Sequence, residues 1–115
     1  MTTPEIPLDK RFRGYLPVVV DIETAGFNAK KHALLEIAAI IVEYDANRDL
    51  VITERYSTHV IPFKNAEFDE AALKFNGIDP HHPFRMAVEE LEALQTLFKP
   101  IAQAIKRNNC KRAIL

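Results

Sequence analysis

The chain has 115 residues, 48% hydrophobic and 27% charged, which excludes a disordered chain and allows one compact domain at most. Its formal net charge of −1 gives no bulk attraction for a polyanion, and no stretch reaches the length of a membrane span. The single cysteine, Cys110, excludes an internal disulfide, points to a reducing cytoplasm, and reads as a small buried hydrophobe.

The opening run MTTPEIPLDKRFRGYLP carries the basic group Lys10, Arg11 and Arg13 but no apolar core before a cleavage site, so it is not a signal peptide. Residues 17–23 predict a strand that is apolar on both faces, as in a central strand, and it ends in Asp21-Ile22-Glu23. The stretch AGFNAKKH, with Gly26 and Asn28, is a loop. ALLEIAAIIVEY fits a helix or a buried strand by periodicity. Its second half is assigned as strand because Ile40, Ile41 and Val42 are β-branched and DANRD follows as a turn. LVITERYSTHVIP alternates and predicts a third strand, hairpin-paired with the second.

EFDEAALKFNGI predicts a short helix with Asp69 as N-cap and Asn76-Gly77 as its left-handed stop. A long helix follows, with Val88, Leu91, Leu94, Leu97, Phe98, Ile101, Ala102 and Ile105 at helical spacing. Pro100 lacks an amide hydrogen and is expected to kink or divide it. Asn108-Asn109 ends the helix, and CKRAIL begins a fourth strand inside which the chain stops. No acid follows Glu92, whereas Lys99, Lys106, Arg107, Lys111 and Arg112 are basic. On charge alone this tail is either a nucleic-acid footprint or a solvated surface complementing a helix C-terminus.

The acidic pair carries the chemistry. Side chains at i and i+2 of a strand share a face, so Asp21 and Glu23 are neighbours and Ile22 turns into the packing. Two carboxylates this close repel unless a cation lies between them. Oxygen-only donors favour magnesium or manganese, and two such ions about 3.5 to 4 Å apart serve phosphodiester cleavage. The plainer alternative is a strand end meeting solvent.

The run VVVDIETAGFNAKKHALLEIAAI resembles the first motif of the DEDD superfamily of 3′-to-5′ exonucleases. The fuller runs RFRGYLPVVVDIETAGFNAKKHALLEIAA, FNGIDPHHPFR and CKRAIL resemble its ribonuclease T branch, of DEDDh type, over nearly the whole chain. This resemblance implies an α/β, ribonuclease-H-like mixed sheet with flanking helices, present as an incomplete N-terminal half. Residues 1–115 would then be the N-terminal part of one exonuclease domain that starts near residue 16.

The resemblance also implies trimming of stable RNA 3′ ends, including tRNA end turnover and rRNA and small RNA maturation, with action on single-stranded DNA. The cofactor would be two Mg2+ ions, with Mn2+ able to substitute, held by Asp21 and Glu23 as catalytic metal ligands. Phe27, Phe75 and Thr24 would bind substrate, the two rings by stacking. From the residues alone, Phe27 and Phe75 read instead as core contacts. Arg11, Arg13, Lys106 and Arg112 match a backbone-binding patch through which one subunit of a homodimer feeds RNA to the other. The family's second-motif aspartate, its general-base histidine and a further metal-binding aspartate would lie beyond Leu115, so the 115-residue chain alone is expected to be inactive. His81 and His82 are expected in solvent, and His59 is expected to be structural. The alternatives are a DNA proofreading exonuclease, an oligoribonuclease, or a non-catalytic nucleic-acid-binding or dimerisation module.

Overall fold

The computed structural model describes residues 7–115; the first six residues of the segment read above as carrying no signal peptide lie outside the described residues. Four strands form one sheet in the order β3-β2-β1-β4: β1 is Tyr15–Thr24, β2 Leu34–Tyr44, β3 Leu50–His59 and β4 Arg112–Ile114. Helices α1, Glu70–Asn76, and α2, Glu90–Arg107, complete the regular structure. Among the described residues no helix is long and apolar enough to cross a membrane.

β2 is strand from end to end, so the half that fitted either element is settled by its period of two. Leu35, Ile37, Ala39, Ile41 and Glu43 are all buried and the residues between them are not. β3 is its sheet neighbour across the turn 45–49, where Asp45 caps its own turn by accepting from Asn47 N and Asp49 N. β4 runs parallel to β1, with Arg112, Ala113 and Ile114 opposite Tyr15, Leu16 and Pro17.

Several sequence expectations need correction. β1 does lie inside the sheet, but it is not buried on both faces. Val19 is 58% exposed and Ile22 is 51% exposed, so Ile22 does not turn into packing. β4 is three residues long and pairs only with Tyr15–Pro17, so the carboxyl half of β1 has one strand neighbour among the described residues. Pro100 does not divide α2, which runs through it as one helix. The carbonyl that Pro100 leaves without a donor belongs to Thr96, on an exposed turn where water can serve it. The inward stripe of α2 is Ala93, Leu97, Ile101 and Ala104, whereas Leu91 and Phe98 are exposed. Val88 precedes the helix and forms a parallel bridge with Val60.

The described residues group into two compact units. One takes in the stretch up to Val20 with Ala39–Tyr56 and Phe98–Leu115; the other is Asp21–Ala38 with Ser57–Leu97. In the first, Leu8, Leu16, Val18, Ala39, Ile41, Ile101 and Ala104 form the buried apolar set. In the second, Ala25, Ala33 and Leu35 make a core flanked by Ala66, Phe68, Leu73 and Ile78. Burying a side chain such as Leu35 contributes roughly 1.5–3 kcal/mol.

The first unit also buries a charge. Glu43 Oε1 accepts from Arg107 at 2.7 Å and from the Thr53 hydroxyl at 2.5 Å, and its Oε2 accepts from Arg107 Nε at 3.0 Å and Asn108 Nδ2 at 2.6 Å. Arg107 reaches Glu54 as well, at 3.2 Å. Every oxygen of the buried carboxylate is therefore served, which is the condition for keeping it ionised there.

Candidate active site

The site grows from the end of β1. Immediately after Thr24, buried Ala25 is fixed by its own backbone: its N–H donates to Ala33 O at 2.9 Å and its carbonyl accepts from Asp69 N at 2.8 Å. Asp69 in turn caps α1, accepting from Ala71 N at 2.9 Å, and Gly77 closes that helix in the left-handed conformation with φ 70°. Both features match the sequence expectation. One backbone contact thus ties the tip of β1 to the start of α1.

Asn76, the last residue of α1, strengthens that tie. Its Nδ2 donates to Thr24 O at 3.1 Å while its Oδ1 accepts from Ile78 N at 3.0 Å. The Thr24 hydroxyl donates to Gly26 O at 2.8 Å, which leaves its lone pairs for another donor. Between the strand tip and α1 lies a cleft of about 390 Å³, lined by Glu23, Thr24, Phe27, Phe75 and Asn76 among others.

Phe27 and Phe75 are 101% and 91% exposed, so the reading of either as a core contact is corrected. Phe27 projects from a loop, and on α1 it is Leu73, not Phe75, that packs against the buried core. Ile22 also lines the cleft, which accounts for its exposure. Asp21 is exposed and Glu23 is half-buried; Glu23 lines the cleft and Asp21 does not. Among the described residues neither carboxylate is hydrogen-bonded or ion-paired.

No group of three or more metal-ligating side chains occurs among the described residues. Two hard carboxylates two residues apart at the end of β1 still fit magnesium or manganese, since such ions are commonly held by one or two carboxylates with water and substrate phosphate. Asp21 and Glu23 are the residues that would hold them.

Gly26 allows this geometry. A methyl group there would overlap the His32 imidazole, whose Nδ1 accepts from Asn28 N at 3.1 Å and thereby holds the ring in place. Gly26→Ala is expected to destabilise the fold by about 1–3 kcal/mol and to displace Phe27. Denaturant unfolding and RNA affinity, measured together, check both parts.

The basic residues lie in the first unit. Arg11, Arg13, Lys106 and Arg112 are all exposed. Lys111 N donates to Gly14 O at 2.8 Å and Arg112 pairs with Tyr15, so the amino-terminal basic turn and the carboxyl-terminal basic strand meet although about 100 residues separate them. Phe12 and Arg13 hold left-handed backbone, with φ of 50° and 59°, at a cost of roughly 1–2 kcal/mol each. Arg11 is oriented by a bond from its Nη1 to Tyr44 Oη at 2.9 Å and lies over the Tyr44 and Phe12 rings.

Of the histidines, His81 and His82 are exposed, as expected for their turn. His59 is half-buried. Cys110 is only partly buried, and that burial raises its thiol pKa. The residues that sequence reasoning missed are Asn76, which joins helix to strand tip, and the Gly26–His32 contact. The run F-N-G carried the first signal, since an asparagine ahead of a stop glycine has a free amide to place.

Comparison with known proteins agrees with this geometry. The RNase T exonuclease family model matches residues 18–112. The chain is 51% identical over 112 residues to ribonuclease T of Hahella chejuensis (strain KCTC 2396), covering 97% of this chain and 51% of that protein. It is 53% identical over 108 residues to ribonuclease T of Cronobacter sakazakii (strain ATCC BAA-894), covering 94% and 48%. The chain spans about half the length of the curated relatives it matches. Among solved structures, E. coli exonuclease I in complex with a dT13 oligonucleotide superposes with TM-score 0.60 at 17% identity, over 76% of this chain and 18% of that one. A 3′-exonuclease described as recognising the 3′ end of a histone mRNA stem-loop superposes with TM-score 0.60 at 14% identity, over 85% and 44%. These two likenesses show the fold: the mixed four-stranded sheet and two helices correspond to part of a ribonuclease-H-like exonuclease.

Proposed function

The chain belongs to the RNase T exonuclease family, and from that membership we propose that the full-length protein is a 3′-to-5′ exoribonuclease dependent on magnesium or manganese. It trims the 3′ ends of stable RNAs, tRNA ends included, and also acts on single-stranded DNA. The observation that carries this reading is the cleft itself: two fully exposed phenyl rings flank a wall that contains Glu23.

An exposed pair of rings suits bases that carry no required sequence, because every base has a face to stack, at about 1–3 kcal/mol each. Asp21 and Glu23 hold the divalent ions, which when bound supply an activated water and stabilise the leaving oxygen. Thr24 offers the oxygen of its hydroxyl to substrate, its proton being committed to Gly26 O. Asn76 keeps α1, and hence Phe75, in fixed relation to the end of β1. Arg11, Arg13, Lys106 and Arg112 bind the nucleic-acid backbone by a salt-dependent attraction, serving the cleft of the other copy in a homodimer. Solved relatives bear on the substrate class, since one holds a dT13 oligonucleotide and another recognises an mRNA stem-loop.

The test follows 5′-labelled single-stranded RNA with the full-length protein. The expected result is a ladder shortened from the 3′ end with magnesium or manganese, and no shortening after chelation. A tRNA end is expected to be consumed in preference to a mismatched DNA primer. Internal cleavage, shortening from the 5′ end, or activity that survives chelation would each overturn the reading. The 115-residue segment alone is expected to release no nucleotide, because Asp21 and Glu23 supply too few oxygen donors for two ions.

A further inference from the structure

We propose that the turn over residues 81–86 carries a second stacking platform, built by Phe84 with His82, for a base of single-stranded nucleic acid upstream of the terminal nucleotides. The proposal rests on the reading of the full-length protein as a single-strand nuclease.

Phe84 is 83% exposed. A lone exposed phenylalanine is ordinary and would carry nothing. Phe84 is neither alone nor loose. Its ring lies against the His82 imidazole with centroids 5.5 Å apart and planes inclined at 57°. Its backbone N–H donates to His82 Nδ1 at 3.1 Å, so the same histidine fixes both the chain and the ring. Pro83 sits at the start of the short 3-10 turn Pro83–Arg85 and sets its first φ.

Arg85 then anchors the turn from below. Its Nη1 donates to Pro80 O at 2.7 Å, and its Nη2 donates to Leu35 O at 2.5 Å and Val60 O at 3.1 Å. All three bonds are to backbone carbonyls, so Arg85 holds the turn and has no guanidinium face left for a phosphate. A large apolar ring kept in water on a rigid support has little ordering entropy left to lose when a flat partner arrives.

The turn follows the cleft closely in the chain. Asn76 lines the cleft, and the next residue, Gly77, lines a second cavity of about 260 Å³ together with His59, Asp79, His82 and Arg85. A strand that leaves Phe75 along this segment would reach the His82 imidazole, against which the Phe84 ring packs. Stacking reads no sequence, which suits an enzyme that shortens varied RNAs.

The experiment uses the full-length protein with Phe84→Ala, Phe84→Tyr and Phe84→Leu, without divalent metal so that no RNA is consumed. Fluorescence anisotropy gives the affinity for a uridine dinucleotide and for a uridine decanucleotide. Phe84→Ala is expected to weaken the decanucleotide about tenfold and leave the dinucleotide within about twofold. Phe84→Tyr restores the longer ligand and Phe84→Leu does not.

An unchanged decanucleotide affinity overturns the proposal. So does an equal loss on both ligands, which would make Phe84 a support of the cleft, or full restoration by leucine. A shift in sedimentation with RNA affinity intact would assign the face to a second protein copy instead. If the unsubstituted protein neither binds these oligonucleotides nor shortens them once magnesium is added, the nuclease reading itself fails and takes the platform with it.

Discussion

Converting Asp21 to asparagine or Glu23 to glutamine in the full-length protein is expected to lower turnover of single-stranded RNA at least about a thousandfold, with stability unchanged. The size follows from what divalent ions supply in phosphodiester cleavage, several kcal/mol of charge stabilisation, where each 1.36 kcal/mol is about tenfold in rate. The absence of a stability effect follows from the structure. Asp21 is exposed, Glu23 half-buried, and neither has a hydrogen bond or ion pair among the described residues to lose. Removing one of two like charges on a strand face would if anything relieve repulsion. Calorimetric titration with manganese should lose heat in the same variants. Stable variants that keep full activity would return the pair to its plainer reading as acids meeting solvent. Their non-equivalence is also testable: Glu23 lines the cleft with the two rings, so Glu23→Gln should weaken substrate affinity as well as turnover, and Asp21→Asn turnover alone.

Much of this fold was legible because local signals agreed with one another. The third strand alternated, and the DANRD turn placed it beside the second. Asp69 and Gly77 marked both ends of α1 by residues whose capping chemistry is local. What was not legible depended on partners distant in sequence. Val19 and Ile22 read as buried because apolar strands usually are, but whether a face is covered depends on what packs there, and β4 reaches only Tyr15–Pro17. Pro100 read as a kink or a break because the rule concerns its own missing bond; an exposed carbonyl at Thr96 makes that loss tolerable without dividing the helix. The two cleft rings show the opposite failure. On composition a phenylalanine belongs in a core, and only the resemblance put Phe27 and Phe75 at a surface, which is where the structure has them.

Glu43 was passed over for a related reason, and it carries the second large expected effect. It continues the inward register of Leu35, Ile37, Ala39 and Ile41, so the alternation of β2 buries a carboxylate. A charge at an inward position requires a partner, but nothing local announces that the partner is Arg107, 64 residues on. The hydrogen bonds from Arg107 are the largest cause of a Glu43 pKa lowered from 4.5 to about 2; burial opposes them, and Thr53, Asn108 and the Arg107 charge add to them. A carboxylate whose folded pKa lies below its unfolded value contributes stability that is fully present above the unfolded value and is lost as pH falls through the folded one. That places the loss between about pH 4.5 and about pH 2. Glu43→Gln is expected to destabilise by about 2–3 kcal/mol at neutral pH, below the usual figure for breaking a buried pair because the Arg107 side chain is 47% exposed. Its amide turns a donor toward Arg107, Thr53 or Asn108, so the damage is to geometry as well as charge. Denaturant unfolding at neutral pH and near pH 3 checks both parts: the variant should lose less stability on acidification than the unsubstituted protein. Equal acid loss in the two would move the origin of the pH dependence away from Glu43. Because Glu43 lies in the first unit and Asp21 in the second, stability lost at Glu43 with activity per folded molecule retained would separate the device that holds the fold from the one proposed to cut RNA.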